Sequence, residues 1–266
     1  MRAPRLVSVI ERRLLVNYRT DPETTARLLP APLRPQVVNG WAVAGICLIR
    51  LAGVRPPGLP APVGLRSENG AHRIAVEWDT PGGVAHGVYI PRRDTGSRLN
   101  AWAGGRVFPG HHRLSRFDVQ ENPDALRIAF RDAEVHVRTT AALTGSRLFD
   151  DLDQASEFFR RGAAGFSSTP DPHRLDGLEL RTPDWRVTPV ELTSVRSTFF
   201  DDPVRFPPGS ALPDCGLLMR DVAASWHPLP PMAVLPAGPA HERLRGPVRA
   251  EGLRRGVHGE HPLVAE

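Results

Sequence analysis

Residues 72–90, HRIAVEWDTPGGVAHGVYI, decide the fold. His72, Ile74, Val76 and Trp78 alternate with Arg73, Ala75, Glu77 and Asp79, the two-residue period of a β-strand with two different faces. Pro81, Gly82 and Gly83 break the run and VAHGVYI resumes it, which predicts a hairpin and hence antiparallel sheet.

Upstream, WAVAGICLIRLAGV (41–54) is an almost unbroken apolar run with β-branched members, expected as a strand covered on both faces. It is joined to the hairpin by RPPGLPAPVGLR (55–66), whose four prolines and two glycines predict an irregular connection edging a pocket. Earlier still, LLVNYRTDPETTARLLPAPL (14–33) reads as a strand followed by a short helix, with Asp21 as cap, Pro22 in the first turn and Pro30 as stop.

Downstream, TGSRLNAWAGGRVF suggests a helix over about residues 95–107, although Gly104 and Gly105 each cost about 1 kcal/mol relative to alanine there. Three strand-like segments follow within residues 113–143. In the last, Glu134, His136 and Arg138 share a polar face opposite Val135, Val137 and Thr139. FDDLDQASEFFRRGAAGF (149–166) is the clearest helix, with Asp150 or Asp151 as cap, Arg160 and Arg161 in the last turn, Gly162 as stop and Leu152, Ala155, Phe158 and Phe159 as its apolar face. Short strands return up to residue 228. The division expected is one domain over residues 1–228 and a Pro/Gly/Arg-rich, disordered tail over 229–266.

Composition narrows the function. The length of 266 residues suits one domain with a substantial core. All 34 basic residues are arginine; there is no lysine. A solvated arginine does not titrate below about pH 12, so a formal charge of only +5 coexists with a pI near 10.3. Arginines are interspersed with 29 acids, without a basic run or a nucleic-acid-binding motif, so nucleic acid is not an expected partner. Cys47 and Cys215 lack metal spacing and read as free thiols of a reducing cytoplasm. No run is long enough for a signal-peptide core or a membrane span, so a cytoplasmic protein is expected. No P-loop, dinucleotide fingerprint, serine elbow or zinc motif occurs, and no cofactor or metal is expected.

The stretches NYRTDPETTARLLPAPL (17–33), SRLNAWAGGRVFPGHHRL (97–114), EFFRRGAAGFSSTPDPHRLDGLEL (157–180), SVRSTFFDDP (194–203) and LLMRDVAASWHPL (217–229) resemble the acetoacetate decarboxylase-like superfamily, and within it the uncharacterised YqjF-like branch. The resemblance spans roughly residues 10–228. It implies an α+β fold whose antiparallel sheet curls into a cone or partly closed barrel with a few outer helices and an apolar pocket inside. In the decarboxylases the reactive lysine sits in an aromatic-proline-lysine-lysine motif; the matching positions here are Phe108, Pro109, Gly110 and His111. That enzyme condenses a desolvated lysine with a ketone. Without a side-chain amine the step is closed, and acetoacetate decarboxylase activity is not expected. The family's pocket arginine and glutamates lie near Arg12, Glu68 and Glu77.

Candidate chemistry centres on His111 and His112, with Arg113 and Arg116 beside them: imidazole moves protons near pH 7 and guanidinium clamps carboxylates. Adjacent residues of a strand face opposite ways, so at most one histidine enters a pocket. The bland alternative is one histidine bonded to a backbone carbonyl and the other in solvent. Glu134, His136 and Arg138 read first as an exposed sheet face with cross-strand partners. Three functions remain open at this stage. The first is a protein enclosing a small apolar organic ligand, such as a keto acid, without turnover. The second is a lysine-independent lyase, hydratase or cyclase using a histidine as acid or base and an arginine on a carboxylate or enolate. The third is a scaffold, and assembly into homo-oligomers is compatible with each.

Overall fold

The computed structural model describes residues 4–235. The chain opens with β1 (Leu6–Thr20), α1 (Pro22–Ala26), β2 (Arg34–Pro35), β3 (Val37–Val38), β4 (Trp41–Arg55), β5 (Leu65–Thr80) and β6 (Gly83–Thr95). It continues through α2 (Arg98–Ala103), β7 (His112–Leu114), β8 (Asp118–Glu121), β9 (Ala125–Phe130), β10 (Ala133–Thr139) and α3 (Leu152–Arg161). It ends with β11 (Ala164–Ser168), β12 (Arg174–Arg181), β13 (Thr188–Ser197), β14 (Ala211–Pro228) and β15 (Met232–Ala233).

The expected hairpin is β5–β6, paired from Thr80↔Gly83 back to Asn69↔Thr95 with a register shift between His72 and Ile74. Strands β12, β11, β6, β5, β4, β1 and β14 lie side by side, and β14 pairs again with β12, from Leu178↔Pro228 to Arg181↔Ser225, which closes a ring of seven. Antiparallel neighbours alternate in direction, and alternation cannot be carried around an odd number of strands. One adjacent pair must therefore run parallel, and it is β6 with β11. A parallel pair cannot be joined by a tight turn. The connection from β6 to β11 is the long excursion over residues 96–163, which holds α2, β7, β8, β9, β10 and α3.

Strand alternation sorts the ring residues into two apolar populations. Leu14, Val16 and Tyr18 of β1, Ala44, Ile46 and Leu48 of β4, and Ile74 and Val76 of β5 form one cluster with Leu126, Ile128, Val135 and Val137 of the flanking strands and with Phe199, Phe200 and Phe206. The extension β13-β10-β9-β8 thus packs on the outer face of the ring. The opposite face carries Leu15, Val43, Cys47 and Ala75 with Phe149, Phe158 and Phe159 around α3. Ile10, Ile49, Met219 and Val222 form a third cluster toward the other end. Burial on both faces explains the unbroken hydrophobicity of residues 41–54.

Local caps follow the expected chemistry. Asp21 accepts from the Thr24 amide with Pro22 in the first turn, Asp151 accepts from the Gln154 amide, and Gly162 closes α3. The helix expected over 95–107 is shorter. Ser97 caps it, and Gly104 turns extended at ψ 131°, so it ends at Ala103. A Cβ on Gly104 would lie 2.8 Å from His112, a close approach that only glycine permits. Beyond residue 228 the chain is still paired: β15 lies against β12, and the Leu235 amide donates to the Ala31 carbonyl. The tail expected to be disordered otherwise lies outside the described residues. No helix among those described is long and apolar enough to cross a membrane.

Candidate ligand-binding pocket

Every one of the seven ring strands contributes residues to one cavity of about 450 Å³ inside the ring, including Arg13, Cys47, Arg73, Val88, Gly165, Leu178, Leu180 and Trp226. The excursion over 96–163 supplies its end wall through Leu99, Asn100, Ala103, Phe108, Pro109, His112, Phe158 and Phe159. The size is that of a small-molecule site.

The phase of β5 places Asn69, Ala71, Arg73 and Ala75 on the cavity side and His72, Ile74 and Val76 on the outer side. Arg73 is only 4% exposed. Its Nη2 donates to Asn17 Oδ1 at 2.5 Å, across Gly45, which pairs with both Arg73 and Asn17. Its guanidinium carbon stands 4.7 Å from the centre of the Phe159 ring, and Nε has no partner. Arg93 enters from β6, its Nε donating to Ser167 Oγ at 3.1 Å. Arg13 enters from β1, donating through Nε to Cys47 Sγ at 3.5 Å. Among the described residues none of these three arginines has a carboxylate within ion-pair distance, whereas most other arginines do. Burial pushes the guanidinium groups of Arg73 and Arg93 down to about 10, which leaves both protonated at neutral pH. The cavity is therefore apolar, concave and cationic.

Of the histidine pair, His112 borders the cavity and His111 is exposed beside a separate surface cleft. His112 Nε2 lies 3.2 Å from the Pro109 carbonyl. A carbonyl only accepts, so Nε2 carries the proton and Nδ1 keeps the lone pair. Burial, then the nearby Arg93, lowers the His112 pKa to about 3, and the ring is neutral.

The other candidate residues lie elsewhere. Arg12 is 1% exposed and points to the outer face, where Nη2 meets Glu68 at 2.6 Å and Nη1 meets Glu121 at 3.0 Å. Arg50 also holds Glu68, and Arg220 holds Glu121. Arg12 and Glu68 face away from the cavity because each is one strand position out of phase with it; the neighbouring Arg13 and Asn69 face in. Glu77 and Asp79 pair with Arg34 toward the hairpin end. Arg113 is spent on Asp94 at 2.9 Å and on Asp132, and Arg116 is exposed. Glu134 is held by His136, Arg196 and Arg127 on an open sheet face, which lowers its pKa to about 2. Arg73 and Arg93 were not singled out by the sequence. The alternation of residues 72–79 separates the faces of the strand, but both faces are buried and nothing local says which one looks inward.

Comparison with known proteins agrees with this architecture. The family profile DUF2071, described as an uncharacterized conserved protein, matches residues 9–213. No match is found among curated proteins. Among solved structures, an acetoacetate decarboxylase from Legionella pneumophila subsp. pneumophila str. Philadelphia 1 superposes with a TM-score of 0.60 at 11% identity, covering 88% of each chain. An acetoacetate decarboxylase-like enzyme from Sphingomonas wittichii RW1 gives 0.57 at 15% identity, over 88% of this chain and 93% of the other. The enduracididine biosynthesis enzyme MppR, complexed with pyruvate, gives 0.56 at 13% identity, over 88% and 91%. At these identities the likeness is one of fold.

Proposed function

Because the chain belongs to the DUF2071 family, whose description assigns no activity, we propose its function from the cavity itself: it binds a small, mostly apolar carboxylic acid, of which a keto acid is the best example, without forming an imine. The observation that carries this is a pair of protonated guanidinium groups, Arg73 and Arg93, in a largely apolar cavity with no carboxylate of their own. Desolvating a cation without a counter-ion costs several kcal/mol. A ligand carboxylate would supply the missing charge, and a guanidinium fork matches its two oxygens. The Phe159 ring and Asn17 offset part of that cost in the free protein and hold Arg73 in place. The cavity volume suits an acid of a few carbons with an apolar tail. The fold relative MppR, seen with pyruvate, carries the same ligand chemistry.

A lysine-free sequence has no side-chain amine for carbonyl capture. The alternative of proton-transfer catalysis rests on His112, which lies in the cavity with a free Nδ1 lone pair. An imidazole with a pKa of about 3 is a weak base at pH 7, and efficient general bases titrate near the working pH. Binding without turnover is therefore the reading supported best.

The test is thermal denaturation with pyruvate, 2-oxobutyrate and longer 2-oxo acids, each beside its methyl ester. The acids should stabilise the fold, by about 2.7 kcal/mol at a hundredfold excess over Kd, and the esters should not. Equal stabilisation by acid and ester would exclude an arginine-held carboxylate. Borohydride added with ketone should leave no adduct on an internal residue.

A further inference from the structure

The cavity contains a nucleophile that the binding function does not use. We propose that the Cys47 thiol captures 4-oxo-2-enoic acids, carboxylates whose C=C bond is activated by a ketone, by conjugate addition. The proposal rests on the reading that the cavity holds carboxylates, and it adds a covalent step to that reading.

Cys47 occupies an inward position of β4 and borders the cavity. Its sheet neighbours are Leu15 on β1 and Ala71 on β5. Beyond Ala71 in the same row stands Arg93, and one row along, opposite Gly45, stands Arg73. Diagonal neighbours on a sheet face are about 7–8 Å apart at the backbone, within the span of a long side chain. Arg13 reaches the sulfur itself, Nε to Sγ at 3.5 Å. Between Cys47 and Arg93 in that row stands only the methyl group of Ala71. Arg73 lines the same cavity, is 4% exposed and has no carboxylate partner among the described residues, which independently indicates an anionic ligand at this place. Cys215 differs in each respect. It does not border the cavity, is 3% exposed, and burial pushes its thiol up to about 12.

In the reaction the thiolate sulfur forms a bond to the β-carbon of the ligand. That carbon is β to the ketone and bears the carboxylate; the C=C π pair moves to the carbon next to the ketone and onto the ketone oxygen as an enolate, and the proton given up by the thiol returns through solvent to that carbon. The sum is addition of S–H across C=C; nothing leaves and nothing is oxidised. One of the two guanidinium groups, Arg73 or Arg93, would hold the carboxylate in the complex and the other would oppose the enolate charge as it develops.

Alkylation rates at pH 7, resolved by peptide mass spectrometry, test this directly. An ordinary thiolate reacts more slowly with anionic iodoacetate than with neutral iodoacetamide. Cys47 should invert that order by about tenfold, equivalent to about 1.4 kcal/mol of charge attraction, while Cys215 stays unlabelled in the folded protein. Arg73→Met and, separately, Arg93→Met should each reduce the inversion. Treatment with trans-4-oxo-2-pentenoate should raise the intact mass by one whole reagent, located at Cys47 and absent from Cys47→Ser. Stabilisation by pyruvate is measured alongside. If pyruvate stabilises the protein and Cys47 gives no adduct with the enoate, the covalent proposal is overturned and the binding function stands. If pyruvate has no effect and iodoacetamide is the faster reagent, both are overturned.

Discussion

Arg12 and Arg73 are both almost fully buried, on opposite faces of the same ring, and their surroundings differ in one respect. Arg12 on the outer face has Glu68 and Glu121 within 3.0 Å, and each glutamate is shared with a further arginine. Arg73 on the inner face has an amide and an aromatic ring but no carboxylate, while the Nε of both arginines is without a partner. The first charge is complete within the polypeptide and serves the structure. The second is incomplete, and the most economical completion is an anion from outside. Burial alone does not mark a functional arginine; burial without a counter-ion does.

The contrast can be broken most directly by removing each arginine in turn. Arg12→Met should cost about 3 kcal/mol in urea melts, because Glu68 and Glu121 lose a buried partner; the loss stays at the lower end of the usual range since Arg50 and Arg220 remain. Arg73→Met should leave stability unchanged or raise it by about 1 kcal/mol, since an isosteric apolar chain relieves an unpaired charge, yet it should weaken keto-acid binding by about thirtyfold or more, the worth of a charged hydrogen bond at roughly 2 kcal/mol. Similar destabilisation by both substitutions would remove the distinction on which the functional reading depends.

A pH series sharpens the same comparison, because each face buries one neutral histidine. His72, caged by Phe130, Phe199 and Phe200 on the outer face, and His112 at the cavity both have pKa values lowered to about 3 by burial. Depressed folded-state values mean that the unfolded chain binds the protons first. The stabilisation is complete above about pH 6.5 and is lost as the pH falls toward 3. Between pH 6 and 5 the unfolding free energy should fall by about 1.4 kcal/mol per pH unit for the fully buried His72, with a smaller share from the partly exposed His112. Pyruvate should diminish only the His112 share, since a bound anion favours its protonated form; a flat profile over this range would contradict neutral burial. The smallest effect is expected at His136→Ala, on the open sheet face, which should alter neither pyruvate binding nor the melting temperature measurably.

Much of the architecture could be read from local pattern. The hairpin at 72–90, the doubly buried strand from Trp41 and the helix from Leu152 to Gly162 each declare themselves through period, turn residues and caps. The helix expected at 95–107 overran its end because the extended Gly104 is dictated by His112 packing against it, a contact eight residues away. The candidate site was harder for the same reason. Alternation allows at most one of His111 and His112 into a cavity, but which one depends on how β7 pairs with β6, and Arg12 differs from Arg13 only in phase. Inside and outside are properties of the closed ring, and no window of a single strand contains them.

An odd ring has a consequence for how such a protein can change. Its single parallel junction gives much of one end of the chamber to one contiguous cassette, residues 96–163, which is joined to the ring through its two chain ends and rests on it through β7, β10 and α3. Exchanging that cassette between relatives would re-key the entrance while Arg73 and Arg93 stay on their staves, provided the newcomer keeps a ring at Phe159 and an acid at Glu121, so new ligands become reachable by recombination and not only by stepwise substitution.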